Sequence, residues 1–119
     1  MKNDISISDA LAMSKALWHE NKDKWEPMTP EHAKTSILYM IEEIGEVISI
    51  VKKKKTHELM DDGVTRDHLI EELSDVLMYF SDTLNRFDIS AEEFAKAYIK
   101  KHHKNLGRDY EREHEKTYS

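Results

Sequence analysis

The chain has 119 residues, a formal net charge of −6 and no cysteine, and it contains 39% apolar and 35% charged residues. This length predicts a single domain over residues 1–119, and the lack of cysteine excludes disulfides and thiolate metal sites. The negative charge argues against nucleic-acid binding, and no apolar run is long enough to predict a membrane span. Because the N-terminus also lacks the apolar segment of a secretory signal, we expect a cytoplasmic protein with neither a nucleic-acid nor a membrane partner.

The first half of the chain predicts two helices. Ser6-Ile7-Ser8-Asp9 offers N-caps for a first helix that ends near Asn21. A polar connection follows over residues 20–29. Thr29-Pro30-Glu31 combines a cap, a proline at the first helical position and an acid, which predicts a second helix running to about Lys54. Lysines 52–55 are expected to offset the negative end of this helix and to stay in water, with a phosphate-facing role as the alternative.

The second half predicts two more helices. Residues 57–65 break the helical pattern and predict a loop, with at most a short helical turn at its start. Thr65 is expected to cap a third helix that continues to about Arg86. Ser90-Ala91-Glu92-Glu93 predicts a capping box for a fourth helix through about Asn105, which Gly107 would end. Residues 109–119 form a highly charged tail, expected to be frayed or held by another subunit.

No segment predicts a strand, so the expected fold is an all-α, four-helix bundle-type domain. The connection of about a dozen residues allows the second and third helices to lie antiparallel. The apolar seams of these two helices are wider than one four-helix subunit can cover. We therefore expect a homo-oligomer, either a homodimer or a homotetramer, whose interface buries the remainder and completes the site.

A repeated acidic pattern links the second and third helices. Residues 41–48 and 70–77 both read apolar, acid, acid, apolar, small, acid, valine, apolar. On a helical wheel of about 100° per residue, two acids of each copy lean into the apolar arc. These are Glu43 and Glu46 in the first copy, and Glu72 and Asp75 in the second.

Four partly buried carboxylates are costly unless protons or cations neutralise them. Oxygen ligands with little nitrogen or sulfur nearby favour a hard divalent ion, Mg²⁺ or, as a substitute, Mn²⁺. The alternative is that the acids are solvated flanks of amphipathic helices. Two pairs in matching registers favour the metal site.

The E-E-x-x-E motif of Glu42, Glu43 and Glu46, followed by the E-x-x-D motif of Glu72 and Asp75, resembles the MazG-like nucleotide pyrophosphohydrolases. These belong to the all-α NTP pyrophosphohydrolases, with the dimeric dUTPases and the phosphoribosyl-ATP pyrophosphohydrolases. The resemblance covers residues 17–108. It implies Mg²⁺-dependent hydrolysis of a nucleoside triphosphate between the α- and β-phosphates, in nucleotide-pool house-cleaning.

The resemblance also implies roles for individual residues. Glu43, Glu46, Glu72 and Asp75 would bind metal, and Glu42 would be a further ligand or the base that orients the attacking water. Glu71 matches Glu42 in the repeat, but the family motif does not single it out, so it is expected to be solvated.

The sequence near the C-terminus resembles the family's pattern of Lys-Asn, two residues, then Arg. The side chains that could grip the polyphosphate are Lys101, Lys104, Asn105 and Arg108. A helix C-terminus that attracts positive charge explains the lysines equally well.

The resemblance implies that the region of Trp18 and Trp25 lies near the base and sugar of the nucleotide, and Asp82 lies two turns beyond Asp75 on the same side of the third helix. Trp25 is a candidate to contact the substrate, whereas Trp18 lies on an apolar face and is expected in the core. Asp82 either extends the acidic site or, as we expect, is an exposed acid.

Two other classes of protein remain as alternatives. A di-iron carboxylate bundle also places acids on facing helices, but it needs Glu-x-x-His pairs, and here Glu43 and Glu72 are followed at the third position by acids. A non-catalytic helical regulator would keep the bundle and bind a nucleotide or a protein partner.

Overall fold

The computed structural model of the chain describes residues 3–108, and all regular secondary structure in that range is helical. A 3-10 turn, Pro30–His32, precedes the second of five helices, which are α1 (Ile7–Asn21), α2 (Ala33–Lys53), α3 (Thr56–Met60), α4 (Val64–Arg86) and α5 (Ala91–Leu106). The predicted all-α class is confirmed. There are five helices and not four because the start of the expected loop forms the short helix α3. The tail expected at residues 109–119 lies outside the described residues.

The chain divides into two compact units, Met1–Ile89 and Ser90–Ser119, so α1 to α4 belong to the first and α5 to the second. Each unit is described by itself below. The prediction of one domain over the whole chain therefore stays a prediction.

Two helices begin where the sequence predicts. The Ser6 hydroxyl accepts a hydrogen bond from the Asp9 N–H at 3.0 Å, and the Asp9 carboxylate accepts one from the Ser6 N–H at 2.9 Å. This capping box satisfies two N–H groups at the start of α1. At the start of α5, the Ser90 hydroxyl accepts from the Glu93 N–H at 3.0 Å, which is one of the two hydrogen bonds of the predicted capping box. Gly107 is the C-cap of α5, as predicted.

Two other helix starts differ from the prediction by a few residues. Thr29 and Pro30 begin the 3-10 turn, and α2 begins only at Ala33. The helix α4 begins at Val64, one residue before the expected cap, Thr65. Its first turn closes when the Asp67 N–H donates to the Gly63 carbonyl at 3.0 Å. The cap at this end is therefore backbone rather than a threonine side chain.

The helices α2 and α4 pack against each other along their lengths and run antiparallel. Three side-chain relationships follow one another in opposite order along the two helices: Ser36 with Asp82, Tyr39 with Tyr79, and Glu43 with Asp75. The residue numbers rise along α2 while those of the partner residues on α4 fall, which means that the two helices are antiparallel. The acidic repeat predicts this antiparallel arrangement, because it allows the acids of the two helices to face each other.

A polar network fixes one end of the α2–α4 pair. The Asp82 carboxylate accepts hydrogen bonds from the Ser36 hydroxyl and from Arg86 Nε, the latter at 2.6 Å. Arg86 also donates from Nη1 to the Pro27 carbonyl at 2.7 Å. The side chains of Asp82 and Arg86 are only 16% and 7% exposed. The expectation that Asp82 is an exposed acid was wrong, because its charge is paired inside the fold.

Helix α1 packs against α4. Asn85 Nδ2, which is buried, donates to the Leu11 carbonyl at 3.0 Å and joins the two helices. Trp18 is half-buried, and its Nε1 donates to the Glu26 carbonyl at 2.8 Å. Trp18 therefore contributes to the fold and also holds the connection that follows α1.

The buried apolar core of the described residues is small: Leu11, Ala33, Ile50 and Leu84. By contrast, apolar side chains at helical spacing remain 42–58% exposed along α2 and α4. They are Leu38, Ile41, Ile44, Ile48 and Val51 on α2, and Ile70, Leu73 and Leu77 on α4. No helix within residues 3–108 has the length and apolar character needed to cross a membrane.

Candidate metal centre

Three carboxylates of the acidic repeat meet between α2 and α4. Glu43 comes from α2, while Glu72 and Asp75 come from α4, and each offers an oxygen within 4.8 Å of the other two. The i, i+3 spacing of Glu72 and Asp75 places both on the face of α4 that meets α2. All three side chains are partly buried. The structure thus brings together three of the four predicted metal ligands.

The cluster changes the acidity of Glu43. A hydrogen bond between the side chains of Glu43 and Glu72 is the largest cause that raises the pKa of Glu43, to about 7. Partial loss of solvent is the second cause, followed by the negative charges of Asp75, Glu72 and Glu46. Glu43 therefore keeps its proton to a higher pH than an ordinary glutamate does.

The other two predicted acids lie at the rim of this cluster. Glu46 is exposed and is not one of the three carboxylates that meet, although its charge contributes to the raised pKa of Glu43. Glu42 is also exposed, and its charge contributes to a raised pKa of Tyr79. Both acids are therefore close enough to raise the pKa of a side chain that lies between α2 and α4. Glu71 is exposed, in agreement with the expectation for that residue.

The donor set fits a hard divalent cation. Three carboxylate oxygens from two helices can take part of an octahedral shell, and Mg²⁺ characteristically keeps waters and substrate phosphate in the remainder. Mn²⁺ accepts the same ligands. A cation would also replace the proton that otherwise relieves repulsion within the cluster.

Two tyrosines, Tyr39 and Tyr79, flank the cluster and are not part of the acidic motifs. Tyr79 lies one turn after Asp75, and its ring packs on that of Tyr39 with centroids 5.6 Å apart. Burial is the largest cause that raises the pKa of the Tyr79 phenol, followed by the charges of Glu43 and Asp75. The signal in the sequence was the i, i+4 spacing of each tyrosine from a predicted ligand, Tyr39 before Glu43 and Tyr79 after Asp75.

A histidine lies at the other end of the cluster. His68 Nε2 lies 3.3 Å from Glu72 Oε1. The sequence offered the same i, i+4 signal here, four residues before Glu72. His68, Glu72, Asp75 and Tyr79 follow one another along one face of α4.

The predicted phosphate-binding residues lie in the second unit, at the C-terminal end of α5. Lys101 and Lys104 are exposed, and Asn105 and Arg108 are half-buried. Arg108 Nη1 donates to Asn105 Oδ1 at 2.9 Å. The structure therefore brings Asn105 and Arg108 together with each other. Trp25 lies in the first unit, in the connection between α1 and the 3-10 turn, and its side chain is exposed.

The comparisons with known proteins agree with this site. The model of the MazG nucleotide pyrophosphohydrolase domain matches residues 31–106, a range that contains both acidic motifs. No curated protein and no solved structure matches the chain significantly. Trp25 and Arg108 fall outside the matched range, whereas Lys101, Lys104 and Asn105 fall inside it. A match over more than half of the chain, together with converging acids on two antiparallel helices, shows that the chain belongs to the family of MazG nucleotide pyrophosphohydrolase domains.

Proposed function

We propose that the protein hydrolyses a ribo- or deoxyribonucleoside triphosphate between the α- and β-phosphates, giving the monophosphate and pyrophosphate, with Mg²⁺ as cofactor. The single observation that carries this proposal is the meeting of Glu43, Glu72 and Asp75 within one 4.8 Å cluster in a MazG domain. We also propose a house-cleaning role in the cytoplasm, with no nucleic-acid and no membrane partner.

The proposed ligands are Glu43, Glu46, Glu72 and Asp75. The first, third and fourth already converge, and Glu46 lies one turn along α2 from Glu43 on the exposed side. A bound divalent ion supplies Lewis acidity toward phosphate oxygens and lowers the pKa of a water. The three converging carboxylates would hold the cation between α2 and α4, and water and phosphate oxygens would complete its ligands.

Glu42 is the proposed fifth acid, either as a further ligand or as the base that orients the attacking water. Its exposure places it where water has access, in contrast to Glu43, whose proton is shared with Glu72. A general base must reach its proton directly or through one water. Glu42 meets the access requirement better than the three clustered acids do.

The residues proposed to bind the polyphosphate are Lys101, Lys104, Asn105 and Arg108. The bond from Arg108 occupies the amide oxygen of Asn105, so Asn105 can contact a phosphate only through its Nδ2 donors. The guanidinium and the amide then present donors from adjacent positions, and the two exposed lysines add positive charge. This arrangement suits an anion.

Trp25 is the proposed contact for the nucleoside. Its side chain is exposed. The segment that follows Trp25 is nevertheless fixed by hydrogen bonds to the backbone carbonyls of two consecutive residues. Trp18 Nε1 donates to the Glu26 carbonyl, and Arg86 Nη1 donates to the Pro27 carbonyl. A fixed backbone lowers the entropy that a stacking side chain loses when a base binds.

We further propose that the protein is a homodimer or homotetramer. The exposed apolar stripes of α2 and α4 are the observation that supports this, because a monomer rarely exposes contiguous apolar patches of such length. A second copy would bury them.

The test of the reaction is pyrophosphate release from a panel of ribo-, deoxyribo- and modified triphosphates, with Mg²⁺, with Mn²⁺ and with EDTA. We expect metal-dependent release of one pyrophosphate per monophosphate. A folded, metal-loaded sample that releases none from any triphosphate would favour the non-catalytic regulator.

Two neighbouring acids of α4 provide a matched pair of variants for the same assay. Glu72→Gln removes a clustered carboxylate, and Glu71→Gln removes an exposed one on the next residue. We expect Glu72→Gln to lower kcat by at least about a hundredfold, and Glu71→Gln to change it little. Equal effects of the two variants would contradict the proposed ligand set.

A further inference from the structure

The connection between α1 and the 3-10 turn is held by hydrogen bonds from two helices. Every residue over 22–27 is exposed. The Glu26 carbonyl nevertheless accepts from Trp18 Nε1 at 2.8 Å, and the Pro27 carbonyl accepts from Arg86 Nη1 at 2.7 Å. Because Trp18 belongs to α1 and Arg86 to α4, two different helices fix consecutive residues of one exposed segment.

The donor at the Pro27 carbonyl is itself fixed. Arg86 is 7% exposed, and its Nε donates to the Asp82 carboxylate at 2.6 Å. Asp82 also accepts from the Ser36 hydroxyl of α2. A guanidinium presents its donors in a planar fork, so the bond to Asp82 also sets the direction of Nη1. One buried side chain therefore ties the Pro27 carbonyl to both α2 and α4.

This anchor lies on the same face of α4 as the acidic cluster. Asp75, Asp82 and Arg86 follow at i, i+7 and i+11, which places them in one line along the helix. At a rise of about 1.5 Å per residue, Asp82 lies about 10 Å along α4 from Asp75. A nucleoside triphosphate with its phosphates at the cluster is long enough to reach this end of the helix pair.

We propose that Arg86 is a positioning residue for the nucleoside, which acts through the Pro27 carbonyl to set the place of Trp25 relative to the acidic cluster. This inference rests on the proposed function and adds a residue that does not touch the substrate. A buried charge is costly, and an exposed connection without a further role does not need one to hold it. A loop that binds a ligand, by contrast, gains from a rigid support.

A second arginine of α4 makes the same kind of bond near the opposite end of the helix. Arg66 Nη1 donates to the Leu59 carbonyl of α3 at 2.9 Å. Arg66→Lys and Arg86→Lys both keep the positive charge and lose the planar fork. Arg66 is therefore a matched control, because the segment that it holds carries no proposed substrate contact.

The first experiment measures steady-state pyrophosphate release by the full chain. We expect Arg86→Lys to raise KM for a nucleoside triphosphate about tenfold and to change kcat less than about twofold, and Arg66→Lys to change neither. The inhibition constant of inorganic tripolyphosphate, which has no nucleoside, should stay unchanged. In a Trp25→Ala background, Arg86→Lys should raise KM less than about twofold, because both changes remove the same contact.

The second experiment does not depend on activity. Trp18→Phe leaves Trp25 as the single tryptophan, so the decay of fluorescence anisotropy reports the motion of that side chain alone. Adding Arg86→Lys should enlarge the fast component of the decay, and adding Arg66→Lys should not. Circular dichroism checks that each variant is folded. If Arg86→Lys is unfolded, Asp82→Asn combined with Arg86→Met takes its place, because this pair leaves no buried charge without a partner.

The outcomes separate this inference from the proposed reaction. Unchanged KM and unchanged motion of Trp25 in the folded Arg86 variant overturn the role of Arg86, and so does an equal weakening of tripolyphosphate inhibition. Pyrophosphate release by the wild type stands in either case. If no triphosphate is hydrolysed, the proposed reaction fails, and quenching of Trp25 by bound triphosphate that Arg86→Lys weakens about tenfold would still support the positioning role. Absence of both hydrolysis and binding overturns both.

Discussion

Glu43 and Glu72 lie on antiparallel helices and share a hydrogen bond, which raises the pKa of Glu43 to about 7. Without a cation, a proton thus takes part in neutralising the cluster. If the proposed cation binds, that proton would have to leave, because the same oxygen atoms would become ligands. The proposed metal site therefore implies competition between a proton and a metal ion, and two measurable consequences follow.

The first consequence concerns the stability of the metal-free protein. Because the folded pKa of Glu43 lies above the unfolded value, its contribution is fully present below about pH 4.5 and is lost as the pH rises through about 7. Glu43→Gln keeps the hydrogen-bond donor and does not ionise. In EDTA, we expect the free energy of unfolding of the wild type to fall relative to that of Glu43→Gln between these two pH values, as measured by urea denaturation. Parallel pH profiles for the two proteins would contradict the shared proton.

The second consequence is proton release when metal binds. Below pH 7 most Glu43 side chains carry a proton that Mg²⁺ must displace, and well above pH 7 few do. Calorimetric titration in buffers of different ionisation enthalpy should show about one more proton released at pH 6 than at pH 8.5. Glu71→Gln, at an exposed acid outside the cluster, should leave this difference unchanged. Proton release that is independent of pH would mean that Glu43 is not a ligand.

The pair of Asp82 and Arg86 provides a prediction about the fold. Arg86 is 7% exposed, so Asp82→Asn leaves a buried guanidinium without its charge partner. Breaking a buried pair from one side costs about 3 kcal/mol or more, and we expect a loss of that size in urea denaturation. Glu71→Gln, at an exposed acid in the interior of the same helix, should cost less than about 0.5 kcal/mol. A small effect of Asp82→Asn would show that water reaches the pair.

The apolar stripe of α2 provides a prediction about assembly. Ile41 is 58% exposed in one chain, and a second copy that covers it would have to bury any charge placed there. We expect the wild type to be a dimer or tetramer by light scattering, and Ile41→Lys to shift it toward the monomer. Met13→Lys, at a 60% exposed residue of α1, is the control for a new surface charge. Wild-type mass equal to one chain would contradict the proposed assembly.

Local signals in the sequence determined most of the helices. Ser6 and Asp9 make both hydrogen bonds of a capping box, and Ser90 accepts the predicted bond from the Glu93 N–H, because a helix cap depends on only four consecutive residues. The helical phase of the acids was likewise readable, since it follows from the angle of about 100° between successive residues. The short helix α3 and the 3-10 turn were less visible, because such short segments depend on neighbouring contacts, such as the bond from Arg66 Nη1 to the Leu59 carbonyl.

The sequence by itself determined that the protein is helical, that two of its helices carry matching acids, and that those acids suit a divalent cation. Only the tertiary structure decided which acids converge, because the relative register of α2 and α4 is set by contacts between residues far apart in the chain. That register brings Glu43 to Glu72 and Asp75, leaves Glu46 at the exposed rim, and pairs Asp82 with Arg86 and Ser36 instead of adding it to the site. It also sets the Tyr39–Tyr79 pair beside the carboxylates. The position of a residue around one helix depends on its neighbours in the sequence. Which faces of two helices come into contact depends on residues far apart in the chain.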